Sequence, residues 1–489
     1  MNIRGNGGAV LPTVLIFAVF ALIVASVYTA GQLTIAKPSL RGPASLQALC
    51  NARSGIWKGL ELLSKKPSDT LAKINTLDSL FNKKLFGRPT AAIASDSFSG
   101  LVPDDTPLAV QPFSSDSFGD CAVSLTFLTC YKVLVSQGRF RDIIKSAKGL
   151  LGGSIYHSPD SVCFLTTGSA PEGGGRIEGT TVFPAPEAAL KPVSASKPRP
   201  EPVNKKQSAD QLATGELAKL VAYYRSKLGA KLDTTIPVAP LLIQNSDQAA
   251  GIPEVVNGSL LINGSFTTIA WKEKRRIFVL GDVQITGKAS IEDVEFVTSG
   301  EFKCFDDARL FNVSVFCPKR LVIGDRASFS GTALTLSSLL VYKSGRIENK
   351  SIIVAYGENK GLPAAPAKTP RPQLPVSVFI SQDANVDAVI VACGNPGGIQ
   401  TDKNTVVKGI LWAQGAICHQ GTLYGVLRAN ELVDLPTLKA RAKTSGLPAA
   451  PAVQPRNSMS GSIRRLPNVT EYFMPFFLGR QIIARWEEG

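Results

Sequence analysis

The sequence carries only two histidines, three methionines and four tryptophans in 489 residues, and it has no C-x-x-C pair. Structural zinc is held by Cys and His at short fixed spacings, so this inventory argues against a zinc site. The glycine-rich pieces Gly173-Gly174-Gly175 and Gly397-Gly398 lack the Lys and Ser/Thr of a phosphate loop, and no nucleotide site or other cofactor is indicated. Lys and Arg are scattered without a basic run, and aromatic residues are not interleaved with them in any compact stretch. A specific nucleic-acid platform is therefore not expected, although a net charge of +15 would still attract acidic polysaccharide or other surface polyanions through a salt-sensitive field.

What is present is 44% apolar residues with 43 Gly and 32 Pro, a composition that favours turns and short strands over long helices. The length exceeds what one core organises, so several units are expected. Eight cysteines, Cys50, Cys121, Cys130, Cys163, Cys304, Cys317, Cys393 and Cys418, are an even set that reads as disulfides of an oxidising compartment, with buried thiols as the alternative. Cys121 with Cys130, Cys304 with Cys317, and Cys393 with Cys418 are candidate bridges, and the sequence does not fix the connectivity.

Residues 9–30, AVLPTVLIFAVFALIVASVYTA, carry no charge and are long enough to cross roughly 30 Å of hydrocarbon as a helix. The best small-x-small cleavage site, Val24-Ala25-Ser26, falls inside the apolar run, which favours a retained anchor over a removed signal. Arg4 and the amino terminus before it favour an N-in orientation in a bacterial inner membrane, with the body in the periplasm or at the cell surface.

The leader Arg4-Gly5-Asn6-Gly7-Gly8-Ala9-Val10-Leu11 resembles the short basic peptide that prepilin peptidases cut in type IV pilins and type II secretion pseudopilins. The resemblance implies cleavage between Gly8 and Ala9. Thr13 stands at the fifth mature position, where most pilins carry Glu. The segment Ala48-LCNARSG-Ile56 resembles the stretch after the span of minor pilins with a PilX-type N-terminus. Within 45–64 the residues Leu46, Leu49, Ile56, Leu60 and Leu63 fall near helical spacing. The resemblance covers roughly the first sixty-five residues and implies other pilin-like subunits or pilus and secretion assembly proteins as partners.

From residue 95 to 169 short alternating segments, notably 121–148, predict an antiparallel meander that agrees with a small pilin-like head. Residues 184–206, rich in Pro, Ala and Lys, form a tether that buries no core. A helix is expected from Ser208 to Lys231, with Leu212, Leu217, Leu220, Val221, Tyr224 and Leu228 on its apolar side.

A repeat sets the distal half. Seven segments place an apolar or neutral residue first, a small residue four later, an apolar residue six later, and usually Gly, Asn or Asp eight later. They start at Ile285, Cys304, Ile323, Val341, Ile380, Thr401 and Ile417, spaced 19, 19, 18, 39, 21 and 16 residues apart, with a Pro-rich insertion at 357–376 in the wide interval. A period near 19 is too short for paired helices and fits one turn of a β-solenoid. The coils resemble bactofilin-like and other parallel β-helices in pattern.

Asp306, Asp307, Asp325, Asp383 and Asp402 follow the template starts, so a stacked acidic column for Ca²⁺ or acid–base chemistry is conceivable. Lys288, Arg326, Lys343 and Lys403 share that corner, and Asp is an ordinary turn residue. His157 and His419 have no partner identifiable from spacing, so neither is expected to be catalytic.

The expected organisation is mainly β: leader, transmembrane helix and amphipathic helix (1–66), a pilin-like α+β unit (67–183), linker and helix (184–250), a solenoid (251–430), and a tail (431–489) that caps the last coil or docks a partner. The expected function is that of a non-enzymatic, membrane-anchored envelope protein for surface display, assembly or adhesion. An anchored polysaccharide-active enzyme and a polymerising scaffold are the alternatives.

Overall fold

In the computed structural model, the described residues are 42–57, 60, 106–108, 120–140, 143–154, 161–165, 175–182, 209–231, 239–265, 269–357, 376–394, 397–438, 458–478 and 480–488. Gly8, Ala9, the apolar stretch 9–30, the tether 184–206, His157 and most of the 357–376 insertion lie outside them. No helix of the described residues is long and apolar enough to cross a membrane.

Helix α1 spans 42–57, with Pro43 in its first turn, where a missing N–H costs nothing. Its buried face is a stripe of small residues, Ala44, Ala48 and Ala52, ending in Ile56, one every four positions. Leu46, expected on the packed face, is instead 61% exposed, because the sheet meets the alanine stripe two positions away. Small side chains let helix and sheet backbones nearly touch. A Cβ added at Gly138 would lie 2.1 Å from the Ala48 carbonyl oxygen, so glycine is required there. Asn51 Nδ2 donates to the Arg139 carbonyl at 2.9 Å and ties the helix to the sheet rim.

That sheet is antiparallel, ordered β1 (Thr106–Leu108), β2 (Asp120–Leu128), β3 (Tyr131–Phe140), β4 (Ile143–Ser154) and finally the strand Arg480–Glu488. The meander expected around 121–148 is therefore present. Its fifth strand comes from the opposite end of the chain, with Arg480 opposite Ser154. The solenoid is thus inserted between two adjacent strands of the smaller sheet.

The distal half is a β-solenoid of two parallel sheets, one of 10 short strands and one of 13 mostly longer strands. The repeat template maps onto its register. Ile285, Cys304, Ile323, Val341, Ile380 and Thr401 are stacked partners in consecutive coils, and the small residues Ala289, Ala308, Ala327 and Ala384 are buried at the corners. The next partner of Thr401 is His419 rather than Ile417. The final corner is two residues shorter, so the last coil slips against the template. The insertion at 357–376 leaves the stacking intact, since Val341 pairs directly with Ile380 across it.

Several of the long strands bend at a residue of positive φ, as at Asp293 (56°), Asn312 (52°), Asn349 (58°) and Gly409 (119°). Asn and Asp tolerate this region better than other side-chain-bearing residues, and Gly enters it freely. The bend switches which side chains point inward. In Arg309–Cys317 the core receives Leu310 before Asn312 and then Val313, Val315 and Cys317 after it. The opposite side chains beyond the bend, Val297, Phe316, Leu334, Val354, Val389, Val391 and Trp412 among them, form a second apolar face that is also buried.

Helix α2 (Ala209–Ala230) covers part of this second face with Leu217, Leu220, Val221, Tyr224 and Leu228. The helix and these apolar positions match the sequence expectation. The remainder is covered by the β2–β3 turn and by Tyr472, Met474, Phe476, Phe477 and Leu478 of the tail. Each such fully buried side chain is worth roughly 1.5–3 kcal/mol.

The distal end is closed by strands from both sides of the solenoid in sequence. Ser161–Leu165 pairs with Thr422–Ala429, while Ser462–Arg464 also pairs with Thr422–Ala429 and then with Arg176–Ile177. The tail thus contributes one capping strand before it leaves the last coil to complete the antiparallel sheet.

Candidate functional site at the junction of sheet and solenoid

The β2–β3 connection is a two-residue turn, Thr129-Cys130, with Thr129 at φ 44°. Its tip presses into the second apolar face of the solenoid. Cys130 Sγ lies 3.2 Å from the Ala333 carbonyl oxygen, and Phe476 donates its amide to the Cys130 carbonyl at 3.1 Å. The Lys132 ammonium sits 4.7 Å above the Phe476 ring centroid, an arrangement that partly offsets burial of its charge.

A polar column crosses the same face. Arg276, Glu295, Ser314 and Thr332 are register partners in consecutive coils. Arg276 Nε donates to Glu295 Oε2 at 2.7 Å, with side-chain exposures of only 10% and 3%. Tyr224 from α2 donates its hydroxyl to Glu295 Oε1 at 2.7 Å and accepts the Thr129 amide at 2.7 Å. Thr129 Oγ1 also bonds Thr332 Oγ1, which bonds Ser314 Oγ at 3.2 Å. The Tyr224 ring stacks on Phe316 with centroids 4.7 Å apart.

Burial, and next the Glu295 charge, push the Tyr224 hydroxyl well above the usual tyrosine range. For Arg276, burial opposes the charge, but Glu295, Tyr223 and Tyr224 outweigh it and raise its pKa. Nη2 of Arg276 is buried without a hydrogen-bond partner. The column therefore holds a fixed ion pair and a neutral phenol, a set suited to locking three chain segments together. Sequence reasoning found Tyr224 as an apolar helix position and passed over Arg276 and Glu295. The available signal was a charge at positions where neighbouring coils carry hydroxyl or apolar residues.

The aspartates that could have formed an acidic column sit instead as the turn residues the sequence favoured. Asp306, Asp325 and Asp383 occupy corner turns at φ 59°, 44° and 60°, conformations that Asp adopts through local hydrogen bonding. Asp306 accepts the Gly287 amide at 3.1 Å, and Asp307 pairs with Arg326 at 2.9 Å. Asp402 accepts from Gln400 at 3.0 Å. Among the described residues no group of three His, Cys, Asp or Glu side chains is placed to hold a metal ion.

None of the expected disulfides forms, and no two of the eight cysteines are bonded to each other. Cys121 lies opposite Gly138 within the antiparallel sheet, whereas Cys130 is buried in the junction. Cys304 lies beside the Val322 carbonyl oxygen and Cys317 beside that of Lys319. Cys393 faces the junction, while Cys418 belongs to a separate outer cluster with Val433 and Leu438. Burial pushes the thiols of Cys163, Cys304, Cys317, Cys393 and Cys418 up to about 12.

No protein-family model matches this chain, and no curated protein matches it. Among solved structures, the competence-associated pilin ComZ from Thermus thermophilus aligns over 91% of this chain and 97% of its own length. The identity is 9% and the TM-score 0.18, a likeness that carries no argument.

Proposed function

We propose that this chain is a non-enzymatic, pilin-like envelope subunit that carries a β-solenoid for surface display or adhesion. The observation behind this reading is a helix, α1, packed through an alanine stripe on an antiparallel sheet, with the solenoid inserted before that sheet's last strand. Such an insertion keeps the helix-and-sheet unit continuous in space while projecting a rigid body from one of its edges. In this reading residues 9–30 anchor the chain in the inner membrane, N-in, with the body outside. Other pilin-like subunits are its partners, and a diffuse basic charge favours contact with acidic surface polymers.

Mass spectrometry of the mature N-terminus tests the anchor and the leader together. Ala9 as first residue supports the pilin-like route, Met1 supports a plain anchor, and loss of the whole 9–30 stretch rejects both. A zymogram on acidic polysaccharides tests the non-enzymatic part. Turnover abolished by substituting Asp306 and Asp325 would make the chain an anchored carbohydrate enzyme.

A further inference from the structure

His419 occupies the inward column that begins Ile285, Cys304, Ile323, Val341 and Ile380, and with Thr401 it makes the distal end of an apolar bore polar. It is 1% exposed. Its ring bridges successive layers of the solenoid. Nδ1 lies 2.7 Å from Thr401 Oγ1 of the preceding coil, and Nε2 lies 3.1 Å from the Ser462 carbonyl oxygen of the closing strand.

In the neutral ring these partners fix the tautomer. A carbonyl oxygen only accepts, so Nε2 carries the proton, and Nδ1 must accept from the Thr401 hydroxyl. Thr401 Oγ1 already accepts the Gln420 amide at 3.2 Å. A proton added at Nδ1 would therefore displace the Thr401 hydroxyl hydrogen from its acceptor and place a charge in the bore.

Among the described residues no carboxylate pairs with the His419 ring. In the preceding coil Asp402 is engaged by Gln400. On the His419 strand Cys418 faces the outer cluster, near Asp434, whose carboxylate accepts from Thr437. In the closing strand Arg464 lies 5.7 Å over the Tyr424 ring, and beyond it Arg176 pairs with Glu178 at 3.2 Å.

We propose that His419 is an acid-sensitive clasp, neutral when the distal cap is closed, whose protonation releases strand Ser462–Arg464 from the last coil and opens the end of the solenoid. The closing strand is held by the His419 ring, by the Gly461 amide to the His419 carbonyl at 3.0 Å, and by the Ser462 amide to the Gly421 carbonyl at 2.9 Å. Arg176–Ile177 pairs with that strand alone among the described strands. Opening would therefore uncover Met459, Ile463 and Leu423, which are core residues when closed. Burial lowers the imidazole to about 4, against 6.5 for an exposed ring, in agreement with the geometry. The open state thus binds the proton more tightly, and acid favours opening.

Hydrogen exchange of the full-length chain, read by mass spectrometry on a peptide covering 458–466 and corrected for intrinsic rates, tests the clasp. Opening at pH 5 should be about 30-fold more populated than at pH 8, the ratio that those two pKa values give. His419→Gln should remove the pH dependence over this peptide while leaving that of peptides at 285–331 unchanged. His419→Asn, which is shorter but equally uncharged, guards against misfolding of the first variant. Equal pH dependence in wild type and in either folded variant, or no change in the wild type between pH 8 and pH 5, would overturn the proposal.

Discussion

Tyr224 of α2 donates its hydroxyl to Glu295 in the solenoid at 2.7 Å, and the same oxygen accepts the amide of Thr129 from the antiparallel sheet at 2.7 Å. One phenol thus joins three segments far apart in sequence. Tyr224→Phe should cost about 1–3 kcal/mol, because it orphans a buried carboxylate oxygen and a buried amide. Glu295→Ala should cost more, roughly 3–5 kcal/mol, since it strands the buried Arg276 guanidinium. Urea denaturation of both variants checks the order, and a smaller loss for Glu295→Ala would contradict it.

The tail crosses the solenoid where Gly409 bends at φ 119°. A Cβ there would lie 2.2 Å from the Ala388 carbonyl oxygen and 2.8 Å from the Tyr472 ring. Gly425, at φ 142°, faces only the backbone of Gly409. Both alanine variants should lose at least about 1–3 kcal/mol through strain. Only Gly409→Ala should also free the segment around Tyr472, which is bonded to Asp387 and neighbours the Lys350–Glu471 pair. Faster protease cleavage within 465–478 in that variant alone is the expected outcome.

Cys50 is the exposed cysteine, on the outer side of α1, and the other seven are buried. A maleimide added to the native protein should label Cys50 alone, because the thiolate is the reactive form and burial suppresses it. After denaturation without reductant, all eight should react. Mass spectrometry showing fewer than eight labels would reinstate the disulfides that the cysteine count suggested.

Glu301 tests acid sensitivity at a corner. Burial raises its pKa, but Lys303 and Arg320 outweigh that and lower it below 4.5. A depressed carboxyl contributes stability above its unfolded pKa and loses it as pH falls toward the folded value. Thermal midpoints measured from pH 6 to pH 3 should fall more steeply for the wild type than for Glu301→Gln.

The repeat was legible because stacking demands the same inward residue type in every coil, so Ile285, Cys304, Ile323 and Val341 could be aligned without coordinates. It failed at Ile417, where a corner two residues shorter moves His419 into the column. Spacing alone does not reveal how many residues a corner uses. In α1 the pattern of large apolar residues pointed to Leu46, yet close approach at Gly138 selected the alanine stripe. Cysteine parity suggested bridges, whereas the structure holds all eight cysteines unbonded to one another.

The sequence by itself determined the period of the solenoid, the apolar side of α2 and the antiparallel meander, because each follows from local alternation along one stretch of chain. Only the tertiary structure decided that Arg480–Glu488 completes the sheet begun at Thr106, and that Arg276, Glu295, Tyr224 and Thr129 meet. Those contacts join positions far apart along the chain. They are selected by which buried groups can satisfy one another once the coils are stacked, which no local pattern encodes.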